Sequence, residues 1–118
     1  MRYVLGIDFD GVIHAYRRGD CGPVIYDTPT PGAAAALEAY RSVFDVQIVS
    51  ARAKTAEGRE AITAWMRTHG LPPLPASDRK PAGELLVTLD DRAWLFRGTW
   101  PSAQALQQFR PWWQLGRL

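Results

Sequence analysis

Tyr3-Val4-Leu5-Gly6-Ile7-Asp8-Phe9-Asp10-Gly11-Val12-Ile13 is the stretch that decides the fold. An apolar run of strand length meets two carboxylates spaced two apart, then a glycine, then more aliphatic residues. Strand side chains alternate faces, so Asp8 and Asp10 would share a face if the strand simply continued. Residues 3–9 are apolar on both faces, as expected of a central strand in a parallel sheet. At the carboxyl end of such a strand, two acids face the crevice where α/β sheets bind ligands. Carboxylates that close repel, and the arrangement calls for a cation, a shared proton or both. Oxygen donors suit a hard ion such as Mg²⁺. A strand end followed by an acidic turn would carry the same letters, because acids are common turn residues.

Working outward, residues 14–30 contain Gly19, Gly22, Pro23 and Pro29 around Val24-Ile25-Tyr26, which reads as a loop or short hairpin standing over the strand end. Pro31-Gly32 opens an alanine-rich helix over 33–41, with Leu37 and Tyr40 as core contacts. Residues 43–49 give a second strand ending in Ser50-Ala51-Arg52. A second helix spans 55–69, with Ile62, Trp65 and Met66 at core spacing and Gly70 as its C-terminal cap. The prolines of Leu71-Pro72-Pro73-Leu74-Pro75 make a stiff connector in which any strand is short. Leu85-Leu86-Val87-Thr88-Leu89 is a third strand, terminated by Asp90-Asp91. Trp94-Leu95-Phe96 reads as a last short edge strand, and Pro101 opens a final helix to about residue 109. The β-α-β-α-β order predicts an α/β fold, a Rossmann-like three-layer α/β/α sandwich on a central parallel sheet.

The chain has 118 residues, which suits one domain with one core. A composition of 47% hydrophobic and 22% charged residues is that of an ordinary globular protein. The net charge of +2 does not single out nucleic acid as a partner, and the excess of Arg over Lys fits a coding bias as well as phosphate binding. Cys21 is the single cysteine, which excludes a disulfide framework and a thiolate metal cluster and points to a reducing, cytoplasmic setting. The opening residues lack a signal-peptide pattern, and no apolar run reaches membrane-spanning length.

Three strands thus end in polar groups: Asp8 and Asp10, Ser50, and Asp90 with Asp91. In a parallel sheet these ends line one edge, so the groups converge. Lys80 lies just upstream of the third strand, within reach of the same edge.

This order resembles the haloacid dehalogenase-like (HAD) hydrolase superfamily. Asp8-Phe9-Asp10-Gly11 matches its first motif, Ser50 its second, Lys80-Pro81 its third and Asp90-Asp91 its fourth. The resemblance spans residues 3–97. Only nine residues separate Lys80 from Asp90, fewer than in many members, and Arg79 is a possible substitute for Lys80. The resemblance implies a Mg²⁺-dependent phosphomonoesterase in which Asp8 forms an aspartyl-phosphate and Asp10 serves as general acid and base. It implies a metal site of Asp8, the Asp10 backbone carbonyl, Asp90 and Asp91. Gly11, Ser50, Arg52 and Lys80 would contact substrate, with Ser50 and Lys80 also stabilising transferred phosphoryl charge.

Neither the 14–30 gap nor the 51–79 gap has room for the cap domain that many members carry, which predicts an open site accepting nucleotides, nucleic-acid ends or other phosphorylated substrates. His14 faces the site or caps the loop, and Arg17, Arg18 and Asp20 read as solvated flap charges. Trp94, Trp100, Trp112 and Trp113 read as exposed, serving core or dimer packing rather than base stacking. The chain would be a monomer or a homo-oligomer. Two other readings remain: a non-catalytic module for phosphorylated ligands, and a receiver-like phosphoacceptor domain. The motif order, with the acidic pair last, argues against the receiver.

Overall fold

The computed structural model describes residues 2–79 and 81–115. Its core is a four-stranded, all-parallel sheet in the order β3-β2-β1-β4, compatible with a Rossmann-like fold. The strands are β1 (Val4–Asp8), β2 (Asp45–Val49), β3 (Ala76–Ser77) and β4 (Leu85–Leu89). The first strand is central, flanked by β2 and β4, and Val4, Leu5 and Ile7 are buried.

Register explains which side chains pack together. Leu5 pairs with Val46 and Val87, and Ile7 with Ile48 and Leu89, so these residues share one face. Onto that face pack Leu37 of α1 (Ala33–Arg41) and Ile62, Trp65 and Met66 of α2 (Ala56–Thr68). Both crossovers step in the same direction across the sheet, so right-handed connections put both helices on the same side. The opposite face is crossed before β4 by residues 81–84 rather than by a helix. There Gln47 Nε2 donates to the Ala82 carbonyl at 3.1 Å. The helical third layer expected from the sequence is therefore not seen in this connection among the described residues.

Local chemistry sets the ends of α2. The Thr55 hydroxyl accepts the Gly58 N–H at 3.0 Å, an N-cap. At the other end Gly70 adopts φ +68° and the Leu71 N–H returns to the Met66 carbonyl at 2.9 Å. Ile62, Trp65 and Met66 lie on one stripe, and burying each such side chain stabilises the fold by about 1.5–3 kcal/mol.

One expectation fails and two are met in short form. Residues 94–96 form no strand: among the described residues none pairs with the outer edge of β4, and Trp94, Leu95 and Phe96 are exposed. The expected final helix is present in shorter form as α3 (Ala103–Gln107), and a separate turn, α4 (Trp112–Leu115), follows beyond it. Ser102 caps α3 by accepting the Ala105 N–H, and Pro111, which has no N–H to give, precedes α4. The short β3 forms just after the proline connector, where the Ser50 N–H reaches the Ser77 carbonyl at 2.9 Å. No helix among the described residues is long and apolar enough to cross a membrane.

Candidate functional site

The site forms where β1, β2 and β4 end together. Asp8 pairs in register with Val49, and Ile7 with Leu89, so Asp8, Ser50 and Asp90 stand at neighbouring strand ends. The structure brings Asp8, Asp90 and Asp91 together, with one carboxylate oxygen of each within 4.8 Å of the other two. Burial pushes the Asp8 carboxyl up to about 8, aided by a hydrogen bond with Asp91 and by the negative charges of Asp90 and Asp91. The Phe9 N–H, 2.8 Å from Asp8 Oδ1, opposes this shift without overcoming it.

The Asp10 side chain does not join that cluster. The chain turns sharply after Asp8, and the N–H groups of Val12, Ile13 and His14 all point to the Phe9 carbonyl. Phe9 itself is fully buried against Trp65, which anchors the turn to α2. The turn directs Asp10 toward the flap, where Oδ1 lies 2.7 Å from His14 Nδ1 and Oδ2 lies 2.7 Å from Arg52 Nε. Burial works to raise the Asp10 carboxyl, but the bonds from His14 and Arg52 outweigh it and hold the group below its usual value. The two motif aspartates thus differ in protonation tendency because their partners differ.

His14 is completely buried, and its ring is oriented by both neighbours. Its Nε2 accepts the Asp27 N–H at 3.0 Å, which leaves Nδ1 carrying the hydrogen donated to Asp10. The ring thus both contacts Asp10 and caps the flap, combining the two positions the sequence allowed. The flap is tied down nearby. The Ala15 N–H reaches the Thr28 carbonyl, the Thr30 hydroxyl reaches the Val12 carbonyl, and Arg17 pairs with Asp27.

Ser50 is buried at the end of β2, where its hydroxyl accepts the Arg52 N–H and opens the 3₁₀ turn Ala51–Lys54. Arg52 Nη1 also donates to the Pro23 carbonyl at 2.8 Å, joining this turn to the flap. Gly11 adopts φ +86°, and a Cβ there would collide with the Asp91 carboxylate, so the position requires glycine. Lys80 lies outside the described residues. Arg79 is exposed, its N–H bonded to the Ser77 hydroxyl.

Sequence reasoning missed the tryptophan pair. Trp113 is buried, in line with the core packing expected of it, but its indole N–H also donates to Asp91 Oδ2 at 2.7 Å. Trp112, half exposed, donates to the Gly11 carbonyl at 2.6 Å. Trp113 also meets Tyr16 edge-on at 5.1 Å and lies under the Arg92 guanidinium at 5.3 Å. No local pattern marks these contacts, because they join positions far apart in the chain, 22 residues for Trp113 and Asp91 and 101 for Trp112 and Gly11. Trp94 and Trp100 are exposed as expected.

The arrangement offers an all-oxygen donor set, a second carboxylate fixed in its anionic form, and a guanidinium between that carboxylate and the flap. No family model, curated protein or solved structure matches this chain.

Proposed function

We propose that this protein is a phosphomonoester hydrolase of the HAD type, working through an aspartyl-phosphate. The observation that carries the reading is the division of labour at the end of β1. Asp8 stands in a cluster with Asp90 and Asp91, whereas Asp10, two residues on, is held apart by His14 and Arg52. Nucleophile and proton-transfer group need this separation, since two adjacent carboxylates with one environment could not take different roles.

A hard divalent cation such as Mg²⁺ fits the donor set of three carboxylates, whose mutual repulsion, seen in the raised Asp8 carboxyl, it would relieve. Asp8, Asp90 and Asp91 would hold it, with the Asp10 carbonyl added by the family resemblance. Bound there, it would supply positive charge that keeps Asp8 ionised and offsets the charge of a phosphate.

In the reaction an Asp8 oxygen bonds to phosphorus as the bond from phosphorus to the ester oxygen breaks. The departing oxygen takes a proton from Asp10. Water then attacks the phosphoryl group on Asp8 and gives a proton to Asp10, releasing inorganic phosphate and restoring both carboxyl groups. Asp10 is anionic while Arg52 holds it. An incoming phosphate competes for that guanidinium. With Arg52 drawn off, the proton affinity of Asp10 rises, and it takes up from water or from a monoanionic ester the proton that it gives in the acid step. The Ser50 hydroxyl, at the adjoining strand end, is available to donate to a phosphoryl oxygen, and Lys80 completes the motif set by resemblance alone. The short flap supports a site without a cap domain.

Phosphate release from p-nitrophenyl phosphate tests this reading. Activity should require Mg²⁺, disappear with EDTA, and be absent in Asp8→Asn. Hydrolysis that persists in Asp8→Asn would overturn the mechanism.

A further inference from the structure

Beside Asp10, the flap and the start of α2 enclose a hollow of about 600 Å³. The Asp10–Arg52 pair lines it, and on the hydrolytic reading the leaving oxygen sits beside Asp10. Tyr16 and Ile25 line it from the flap and Ala61 from α2, giving it apolar sides. Asp20 and Glu57 line its solvent-exposed part.

Two features indicate a built site. Tyr16 has φ +59°, a left-handed conformation that a bulky residue keeps only where its surroundings enforce it. Those surroundings are aromatic: Trp113 at 5.1 Å and His14 at 5.7 Å meet its ring edge-on. The second feature is charge. The lining sets three carboxylates against one guanidinium, and that guanidinium is already paired with Asp10. Glu57 lines the hollow and makes no hydrogen bond or ion pair with another described residue.

We propose that this hollow is the leaving-group subsite of the hydrolase and that it takes a neutral, hydroxyl-bearing group, the sugar or nucleoside of a small monophosphate, rather than a nucleic-acid strand end; the proposal rests on the hydrolytic reading above. Hydroxyl donors suit Asp20 and Glu57, since hydrogen bonds to carboxylates are the stronger kind. The aromatic wall suits the apolar face of a sugar or base. A strand would carry further phosphates past the same two acids, where like charges repel. The flap cations Arg17, paired with Asp27, and Arg18, stacked on Tyr26 at 4.4 Å, do not line the hollow.

The test compares kcat/KM for adenosine 5′-monophosphate, ribose 5-phosphate and a 3′-phosphorylated DNA oligonucleotide, with p-nitrophenyl phosphate as the reporter of chemistry. At least one of the two small esters should exceed the oligonucleotide by roughly tenfold or more, as loss of matched hydrogen bonds in a polar site predicts. Which of them wins separates sugar from nucleoside recognition. Glu57→Gln should narrow the preference and Glu57→Lys should narrow it further, both at an exposed helix position where folding is checked by circular dichroism. A preference for the oligonucleotide, or an identical ratio in wild type and both variants, would overturn the subsite while Asp8-dependent turnover of the reporter leaves the hydrolase standing. Absence of Asp8-dependent turnover of all four esters would overturn both.

Discussion

The indole N–H of Trp113 donates to Asp91 Oδ2 across 2.7 Å, tying a residue near the end of the described chain to the acidic pair that follows β4. The bond fixes which way Asp91 turns its second oxygen, and groups that orient a ligand in this way typically contribute about 10–100-fold to metal affinity. Trp113→Phe keeps an aromatic side chain but removes the donor. Its dissociation constant for Mn²⁺, measured by titration calorimetry, should rise by roughly tenfold. An unchanged constant would reduce Trp113 to packing alone.

Asp8 makes the metal-free protein sensitive to pH. Its carboxyl lies near 3.8 in an unfolded chain and is pushed up to about 8 in the folded one. Between those values the folded state binds a proton that the unfolded state has released, so stability is highest below the lower value and falls as pH rises toward 8. With EDTA present, the Tm should therefore drop between pH 5 and pH 8. Asp8→Asn, which has no proton to lose, should flatten that dependence and raise the Tm at pH 8. Added Mg²⁺ should restore the wild type at pH 8 and have little effect on the variant.

Much of the fold could be read because its cues are local and repetitive. Leu85 to Leu89 is apolar at strand length, and Ile62, Trp65 and Met66 fall on one helical stripe, so neither element needed outside information. Asp8, Ser50 and Asp90 followed from the same logic, since parallel strands bring their carboxyl ends to one edge. Residues 94–96 have strand-forming side chains, but a strand also needs a partner, and the pairing available at the edge of β4 is not used. The Asp10 side chain was expected to share the Asp8 face. It leaves that face because β1 ends at Asp8 and the next residues coil around the Phe9 carbonyl. Lys80 stays a matter of motif alone.

His14 supports a prediction at the other end of the site. Its ring fills a fully buried position and satisfies both Asp10 Oδ1 and the Asp27 N–H. His14→Phe keeps most of the volume but leaves two polar groups without their partner, at about 1–3 kcal/mol each. Urea denaturation should register the loss. Carbon-detected NMR titration should also show the Asp10 carboxyl moving up, because one of the bonds that holds it low is gone.

Gly58 gives a prediction whose sign runs against intuition. Glycine within a helix normally yields about 1 kcal/mol when replaced by alanine. Here a Cβ would overlap the Arg52 carbonyl oxygen, so the added methyl must push apart α2 and the turn that carries Arg52. Gly58→Ala should destabilise the protein by about 1–3 kcal/mol, the usual range for overpacking. It should also weaken any activity that depends on Arg52. A stabilised variant would mean that this corner yields easily.

The strand order also governs when the site can come into being. The ribosome delivers β1 first, with both motif aspartates, but the neighbour on one side arrives some forty residues later and the other only with residues 85–89. Asp91 and then Trp113 emerge later still. A nascent chain that stops short of β4 therefore presents Asp8 without its companions, next to a strand edge still open to wrong pairings. The acidic cluster can therefore form only after β4 and Asp91 have emerged, so a cation-dependent signal in a translating sample would report chains that have passed this point rather than shorter ones.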